Sequence, residues 1–357
     1  MGCTSTSNTL PIIDLAPFLD LTSTATARAA TAKTIASACL EYGFFYLIGH
    51  GIPTSTTDRV ISLATEFFQL PKEEKEKIAR GDPGGLDGGD GARGYQPLGE
   101  QITKGMRDKQ EAIDLYREWD CSVERGEKSA GPPYEFLKGP NLWPENPKEL
   151  KPFYESYVQE QIKVGEALVR AMGMALGLDP ASSTAADDDE ATADEEVFVK
   201  ATKNTFWVLR LIGYPALDKP CNADGNVEQY SCGEHSDYGC VTLLLADATP
   251  GALQVKLKDG TWMDADPIPG AFVVNIGDMI ERWTNGLWQS TRHRVIHRGE
   301  GFRVSVPFFY EPDWDAVVQP LQKCIERTGG EDKYGPIKYG DYLLAKAYGN
   351  FYNRCQR

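Results

Sequence analysis

The sequence predicts a mixed fold: a core of antiparallel strands, with a helical N-terminal half packed on it and a helix at the end. Three observations predict it. Between residues 198 and 310 the chain is mostly short runs of β-formers between turns, the spacing of a sandwich or barrel. Ahead of that region, long stretches carry apolar residues at helical spacing. No run of about 18 apolar residues occurs, so no membrane span is expected.

In chain order, "LPIIDLAPF" reads as a short strand and turn. Residues 26–42, "TARAATAKTIASACLEY", read as an Ala-rich helix, and "GFFYLIGHGIP" as an apolar strand closed by Gly and Pro. "STTDRVISLATEFFQLPKEEKEKIA" predicts one helix, with Ile61, Ala64 and Phe68 on one face. "RGDPGGLDGGDGARGYQP" predicts a loop, too Gly-rich for regular structure. "NPKELKPFYESYVQEQIKVGEALVRAMGMALGL" is the longest helical pattern, starting near Pro147 and stopping at Gly177.

The β-rich half then runs through "FVKATKNTFWVLRLIGYP", "CVTLLLADA", "ALQVKLKDGTWMDA", "AFVVNIGDMI", "STRHRVIH" and "FRVSVPFFYE". Within it, Asp259-Gly260 is a strong hairpin signal. "GDYLLAKAYGNFYNR" predicts a final amphipathic helix. The expected organisation is an N-terminal module at 8–130, a supporting helix at 145–180, a catalytic core at 198–312 and a helical tail at 313–357.

The net charge of −15 and the lack of a basic stripe exclude a nucleic-acid binder. Seven of the acidic residues lie in "DDDEATADEE", from Asp187 to Glu196, which reads as a solvated loop. The eight cysteines form no CxxC pair and no zinc-finger spacing. With no secretory signal, cytosolic thiols are expected. The start "MGCTST" fits a myristoyl acceptor at Gly2 with a palmitoyl acceptor at Cys3. Membrane attachment is expected only if those two carry lipids. The chain is otherwise expected to be a cytoplasmic monomer.

"GEHSDYGC" at 233–240 carries the chemistry. Residues i and i+2 of a strand share a face, so His235 and Asp237 can reach one metal ion. A third ligand must come from elsewhere, and only three other histidines exist. His50, in the helical half, reads as structural. Parity does not separate His293 from His297. Position favours His293, because Gly299 and Gly301 mark a turn that leaves His297 at a strand end. Two histidines and a carboxylate on one face leave three metal positions open, the pattern of non-haem Fe(II) oxygenases. The open positions suit a chelating 2-oxo acid and O2. Arg303 and Ser305 in "FRVSV" share a face and can hold the far carboxylate of such an acid.

These motifs in this order resemble the Fe(II)/2-oxoglutarate-dependent dioxygenases of the isopenicillin N synthase-like family. The resemblance covers most of the chain. "LPIIDL" and "CLEYGFFYLIGHGIP" are similar to that family's N-terminal module. "LRLIGYP", "GEHSDYGCVTLLLADATPGALQV", "VVNIGDMIERWTNG", "STRHRV" and "FRVSVPFFYEP" are similar to its catalytic strands. The resemblance implies a double-stranded β-helix, or jelly roll, with helices outside. It places the metal on His235, Asp237 and His293, and 2-oxoglutarate on Arg303 and Ser305 with Tyr214 in support. Ser236 replaces a commoner threonine and Ala246 a frequent glutamine; neither touches the metal. The implied cofactors are Fe(II), 2-oxoglutarate as co-substrate and O2, with ascorbate as a stimulant. The implied reaction is hydroxylation, desaturation or ring closure of a small metabolite, releasing succinate and CO2.

Strand parity extends the site. If Tyr214 faces it, so do Ile212, Arg210, Val208 and Phe206; Arg210 then either meets an anionic or polar substrate group or pairs with a nearby carboxylate. Parity with Ser305 turns Phe309 inward. Arg93 and Tyr95, after the Gly-rich loop, are candidates for a lid over the substrate. Two other readings stand beside this one: a 2-oxoglutarate-independent iron oxidase of the same fold, and a catalytically idle small-molecule binder.

Overall fold

The computed structural model describes residues 9–81, 92–103, 105–118, 137, 140–177, 196–219, 227 and 229–351, with no side-chain detail from 348 on. The expected lipid acceptors Gly2 and Cys3 and most of the acidic run lie outside the described residues. Among those described, no helix is long and apolar enough to cross a membrane.

The strands of the N-terminal half are β1 Ile12–Asp14, β2 Phe44–Ile48, β3 Gly94–Gln96, β4 Ile102–Thr103, β5 Met106–Arg107 and β6 Glu111–Tyr116. Those that follow are β7 Val208–Tyr214, β8 Cys232–His235, β9 Val241–Ala246, β10 Leu253–Lys256, β11 Trp262–Asp264 and β12 Phe272–Ile276. The last are β13 His293–Val295, β14 Arg303–Tyr310, β15 Val317–Val318 and β16 Ile337–Lys338. An eight-stranded sheet runs β1-β2-β12-β9-β14-β7-β6-β3, and a four-stranded sheet runs β11-β10-β13-β8. Only β1–β2 is parallel within them. Two facing antiparallel sheets with crossed strand order make the expected jelly roll.

Alternation explains the layers. Phe45, Leu47, Leu243, Val274, Leu211 and Phe308 join the core beneath the helices. Their neighbours Phe44, Tyr46, Val273, Ile212 and Tyr214 join the core of Leu253, Val255 and Val295 between the sheets. The large sheet is thus buried on both faces, which is why its strands read as nearly unbroken apolar runs. Helices Ala25–Glu41 and Leu150–Gly177 cover its outer face. Gly165 lets the long helix approach: a Cβ there would stand 2.4 Å from the ring of the buried Tyr310.

Two expectations need correction. The helix expected through residue 79 divides into Thr54–Phe68 and Lys72–Glu76. Pro71 lacks an N–H and disfavours helical backbone at Leu70, so the break falls there. Second, "RGYQ" is not all loop: Gly94–Gln96 forms an edge strand, pairing with Ala112 to Asp114. "EAIDLY", given no element above, is also a strand: Glu111 and Asp114 give it a polar look, yet both are buried. The Asp259-Gly260 hairpin forms between β10 and β11, with Gly260 at φ +87°.

Candidate active site

The triad is built by strand pairing. His293 opens β13 directly opposite His235, the last residue of β8, and their rings lie 4.2 Å apart. Asp237 follows in the turn, and the three side chains offer ligand atoms all within 4.8 Å of one another. Nε2 of His235 and of His293 stand 3.8 and 3.7 Å from Oδ1 of Asp237. That is near the ~3–3.5 Å kept by two ligands each about 2.1 Å from one first-row metal ion.

Surrounding groups aim these atoms. Nδ1 of His235 donates to the Gly233 carbonyl at 2.7 Å, and Nδ1 of His293 to that of Thr291 at 3.2 Å. Both Nε2 lone pairs are thereby left for a metal. Oδ2 of Asp237 accepts from Thr242 Oγ1 at 2.5 Å and Asn275 Nδ2 at 2.6 Å, leaving Oδ1 toward the histidines. Burial works against the Asp237 charge, but His293, His235 and these two hydrogen bonds hold its carboxyl below the usual range. Burial, reinforced by His235, pushes His293 down to about 4, so its imidazole is neutral as a metal ligand requires. The strand leading to the triad is pinned by Asp108, which accepts from the Gly233 N–H at 2.9 Å.

The residues expected to hold 2-oxoglutarate also come together. Arg303 pairs across the sheet with Tyr214, and its guanidinium lies 4.9 Å from that ring. The Ser305 hydroxyl reaches the Tyr214 hydroxyl at 3.4 Å. Arg303 is 1% exposed, yet Nε and Nη1 have no hydrogen-bond partner. A buried cation with vacant donors fits an anion, and the far carboxylate of 2-oxoglutarate supplies one. A mixed imidazole and carboxylate donor set likewise fits Fe(II).

A cavity of about 360 Å³ opens beside the triad. The expected Arg210 and Phe309 line it. Arg210 pairs with a nearby carboxylate, Nε binding Asp114 at 2.6 Å, while Nη2 is buried without a partner. Phe206 instead packs among Tyr116 and Trp314. Tyr95 and Arg93 do not reach the cavity. Tyr95 pairs with Ile113 in β6, which turns it to the helix side, where its hydroxyl meets Glu111. Arg93 is spent on the carbonyls of Tyr116, Leu137 and Arg117 and on Asn141. His50 is structural, bonding Gly270 and the Ile52 N–H. His297 bonds the Gly301 carbonyl, outside the metal cluster.

Sequence reasoning missed Asn275, Thr242, Asp108, Asp114 and Glu311. Glu311 was within reach of the parity argument, two residues past Phe309. It lines the cavity at 4% exposure. Burial is the main cause that pushes its carboxyl up to about 8, with Asp237 and Asp278 adding repulsion against the opposing Tyr339 and Cys240.

Comparison with known proteins agrees with this geometry. Residues 10–146 match the family described as "non-haem dioxygenase in morphine synthesis N-terminal", and residues 209–312 match "2OG-Fe(II) oxygenase superfamily". Homoarginine-6-hydroxylase 2-ODD-C23.1 of Arabidopsis thaliana is 39% identical, over 90% of both chains. Homoarginine-6-hydroxylase 2-ODD-233 of Oryza sativa is 41% identical, over 88% of this chain and 87% of that one. The crystal structure of a full-length Neurospora crassa protein in complex with alpha-KG superposes with a TM-score of 0.74 at 27% identity, covering 95% of this chain and 96% of that one. The triad, the vacant guanidinium above Tyr214 and these likenesses make the chain a member of the 2OG-Fe(II) oxygenase superfamily, an oxidoreductase that acts on small metabolites with Fe(II), 2-oxoglutarate and O2.

Proposed function

We propose that the chain hydroxylates a linear amino acid with a cationic end, of the homoarginine type. The observation that carries this reading is the cavity: it sets Arg210 and Lys346 against Asp114, Glu234 and Glu311 beside the triad. Its volume lies at the small end of ligand pockets, which suits a metabolite of amino-acid size. The homoarginine-6-hydroxylase relatives support the same class.

When bound, Fe(II) with 2-oxoglutarate and O2 supplies the oxidant that replaces a C–H hydrogen by hydroxyl, leaving succinate and CO2. The chain's own residues do the holding. His235, Asp237 and His293 would hold the ion, and Asn275 and Thr242, by occupying Oδ2 of Asp237, would leave Oδ1 for it. Arg303 and Ser305 orient the far carboxylate of the co-substrate. Phe309, Val208 and Leu343 present apolar surface to the cavity, which limits water and places the target carbon. A 2-oxoglutarate-independent oxidase would leave Arg303 buried without its anion, at a cost of roughly 1–3 kcal/mol or more for the unpaired group.

We also read the chain as a cytoplasmic monomer, lipid-attached only through Gly2 and Cys3. The test of the substrate is a panel of homoarginine, arginine, lysine and norleucine with Fe(II) and 2-oxoglutarate. The expected result is a homoarginine product one oxygen heavier, with equimolar succinate. Turnover of the uncharged acid alone overturns the reading.

A further inference from the structure

We propose that Arg210 and Glu311 are the two ends of a substrate clamp, Arg210 taking the amino acid's carboxylate and Glu311 its cationic end. The proposal rests on the reading of the substrate as an ω-cationic amino acid, and says where each charge sits.

Both residues hold unspent hydrogen-bonding capacity. Oε2 of Glu311 is buried without a hydrogen-bond partner, as is Nη2 of Arg210. Neither belongs to the metal or 2-oxoglutarate groups, since Arg303 supplies the co-substrate's cation. Each is also fixed. Asp114, 2% exposed, grips Arg210 Nε, while Nη2 of this cavity-lining residue has no partner. The Glu311 N–H donates to Thr205 Oγ1 at 3.1 Å. Gly239 makes room for its carboxylate: a Cβ there would overlap Oε2 at 1.1 Å.

The register sets the span. Ser305 pairs with Ile212 and Phe308 with Leu209, so Arg210 lies level with the residues between Ser305 and Phe308. Glu311 lies about four residues beyond, roughly 13 Å along the strand at about 3.3 Å per residue. Both residues line the cavity, and a span of that order suits an extended basic amino acid. Between them stand Val208 and Phe309, paired across the sheet and apolar, as a methylene chain requires. Gly239 is two residues from Asp237, so Glu311 marks the metal end. The oxidised carbon is therefore expected beside the cationic group.

An unpaired buried group discriminates strongly between ligands that do and do not satisfy it. The test uses the Fe(II)- and 2-oxoglutarate-loaded protein with three compounds. They are homoarginine, its neutral ureido analogue homocitrulline, and the guanidinoalkane that lacks the carboxylate. Affinity is read as KM, or as an inhibition constant where a compound is not turned over. Glu311→Gln is expected to weaken homoarginine and the guanidinoalkane at least tenfold and to leave homocitrulline within about twofold. Arg210→Gln is expected to weaken homoarginine and homocitrulline at least tenfold and to leave the guanidinoalkane within about twofold. A variant that also loses 2-oxoglutarate affinity is replaced by Glu311→Asp or Arg210→Lys, which keep the charge and should restore the ranking. If wild type turns over homoarginine but the losses do not sort by charge, the clamp alone is overturned. If wild type forms no homoarginine-dependent succinate, the substrate reading falls and the clamp falls with it.

Discussion

The side-chain amide of Asn275 donates to Oδ2 of Asp237 at 2.6 Å, on the oxygen turned away from both histidines. Asn275 comes from β12 and Asp237 from the turn after β8, so the contact ties the large sheet to the metal turn. Its removal leaves Thr242 as the remaining side-chain donor on that oxygen and frees the carboxylate to rotate. Asn275→Ala is expected to weaken Fe(II) binding about 10–100-fold, the usual cost of losing a partner of a metal ligand. Anaerobic Fe(II) titration checks this. Unchanged affinity means the orientation is set elsewhere.

Arg303 and Ser305 contribute unequally to 2-oxoglutarate binding. Loss of a charged partner from a buried pair costs roughly 2–5 kcal/mol, against about 0.5–1.5 kcal/mol for an ordinary hydrogen bond. Arg303→Ala should therefore raise the apparent 2-oxoglutarate requirement far more than Ser305→Ala. Steady-state titration of the co-substrate measures both. Equal effects of Arg303→Ala on substrate and co-substrate affinity would mean a general loss of structure.

Gly165→Ala sets two effects against each other. Alanine gains about 1 kcal/mol of helix propensity. The added methyl, however, meets the Tyr310 ring, which is buried and bonds Thr202 at 3.1 Å. Overpacking of that kind costs about 1–3 kcal/mol. The clash should win, with Tm lower by a few degrees. A raised Tm would show that the ring yields freely.

Glu311 predicts a pH dependence of stability. Its folded pKa is raised from the ordinary 4.5 to about 8, so between those values the folded chain holds a proton that the unfolded chain has released. Stability therefore declines as pH rises through that window and levels off above it. Glu311→Gln lacks this term. Melting of the metal-free proteins should show the variant's Tm advantage growing from pH 5 to 8. A gap that shrinks over that range contradicts the assignment.

The sequence made the two pairs of the site legible because each is local: His235 and Asp237 are two residues apart, and Arg303 and Ser305 two apart on one strand, whereas His293 joins only through strand pairing. Phe309 followed from the same parity. The lid did not, because it rested on the loop reading of "RGYQ". Gly94–Gln96 finds its partner in β6, and β6 is hidden in the sequence by its charges. Glu111 is neutralised by Lys75 at 2.7 Å and Asp114 by Arg210 at 2.6 Å, pairings that only the fold supplies. Asn275 was hidden for a related reason: in "FVVNI" it is the one polar residue of an apolar run, and its use appears only when β12 faces Asp237.

The most direct test of the central claim is anaerobic binding of Fe(II) and 2-oxoglutarate to wild type, His293→Ala and His297→Ala. Across the strand pair His293 faces His235, whereas His297 is spent on Gly301. Wild type and His297→Ala are expected to bind one Fe(II) and one 2-oxoglutarate per chain, and His293→Ala to lose the metal and with it the co-substrate. Retention of both by His293→Ala, with loss in His297→Ala, would contradict the assigned metal centre.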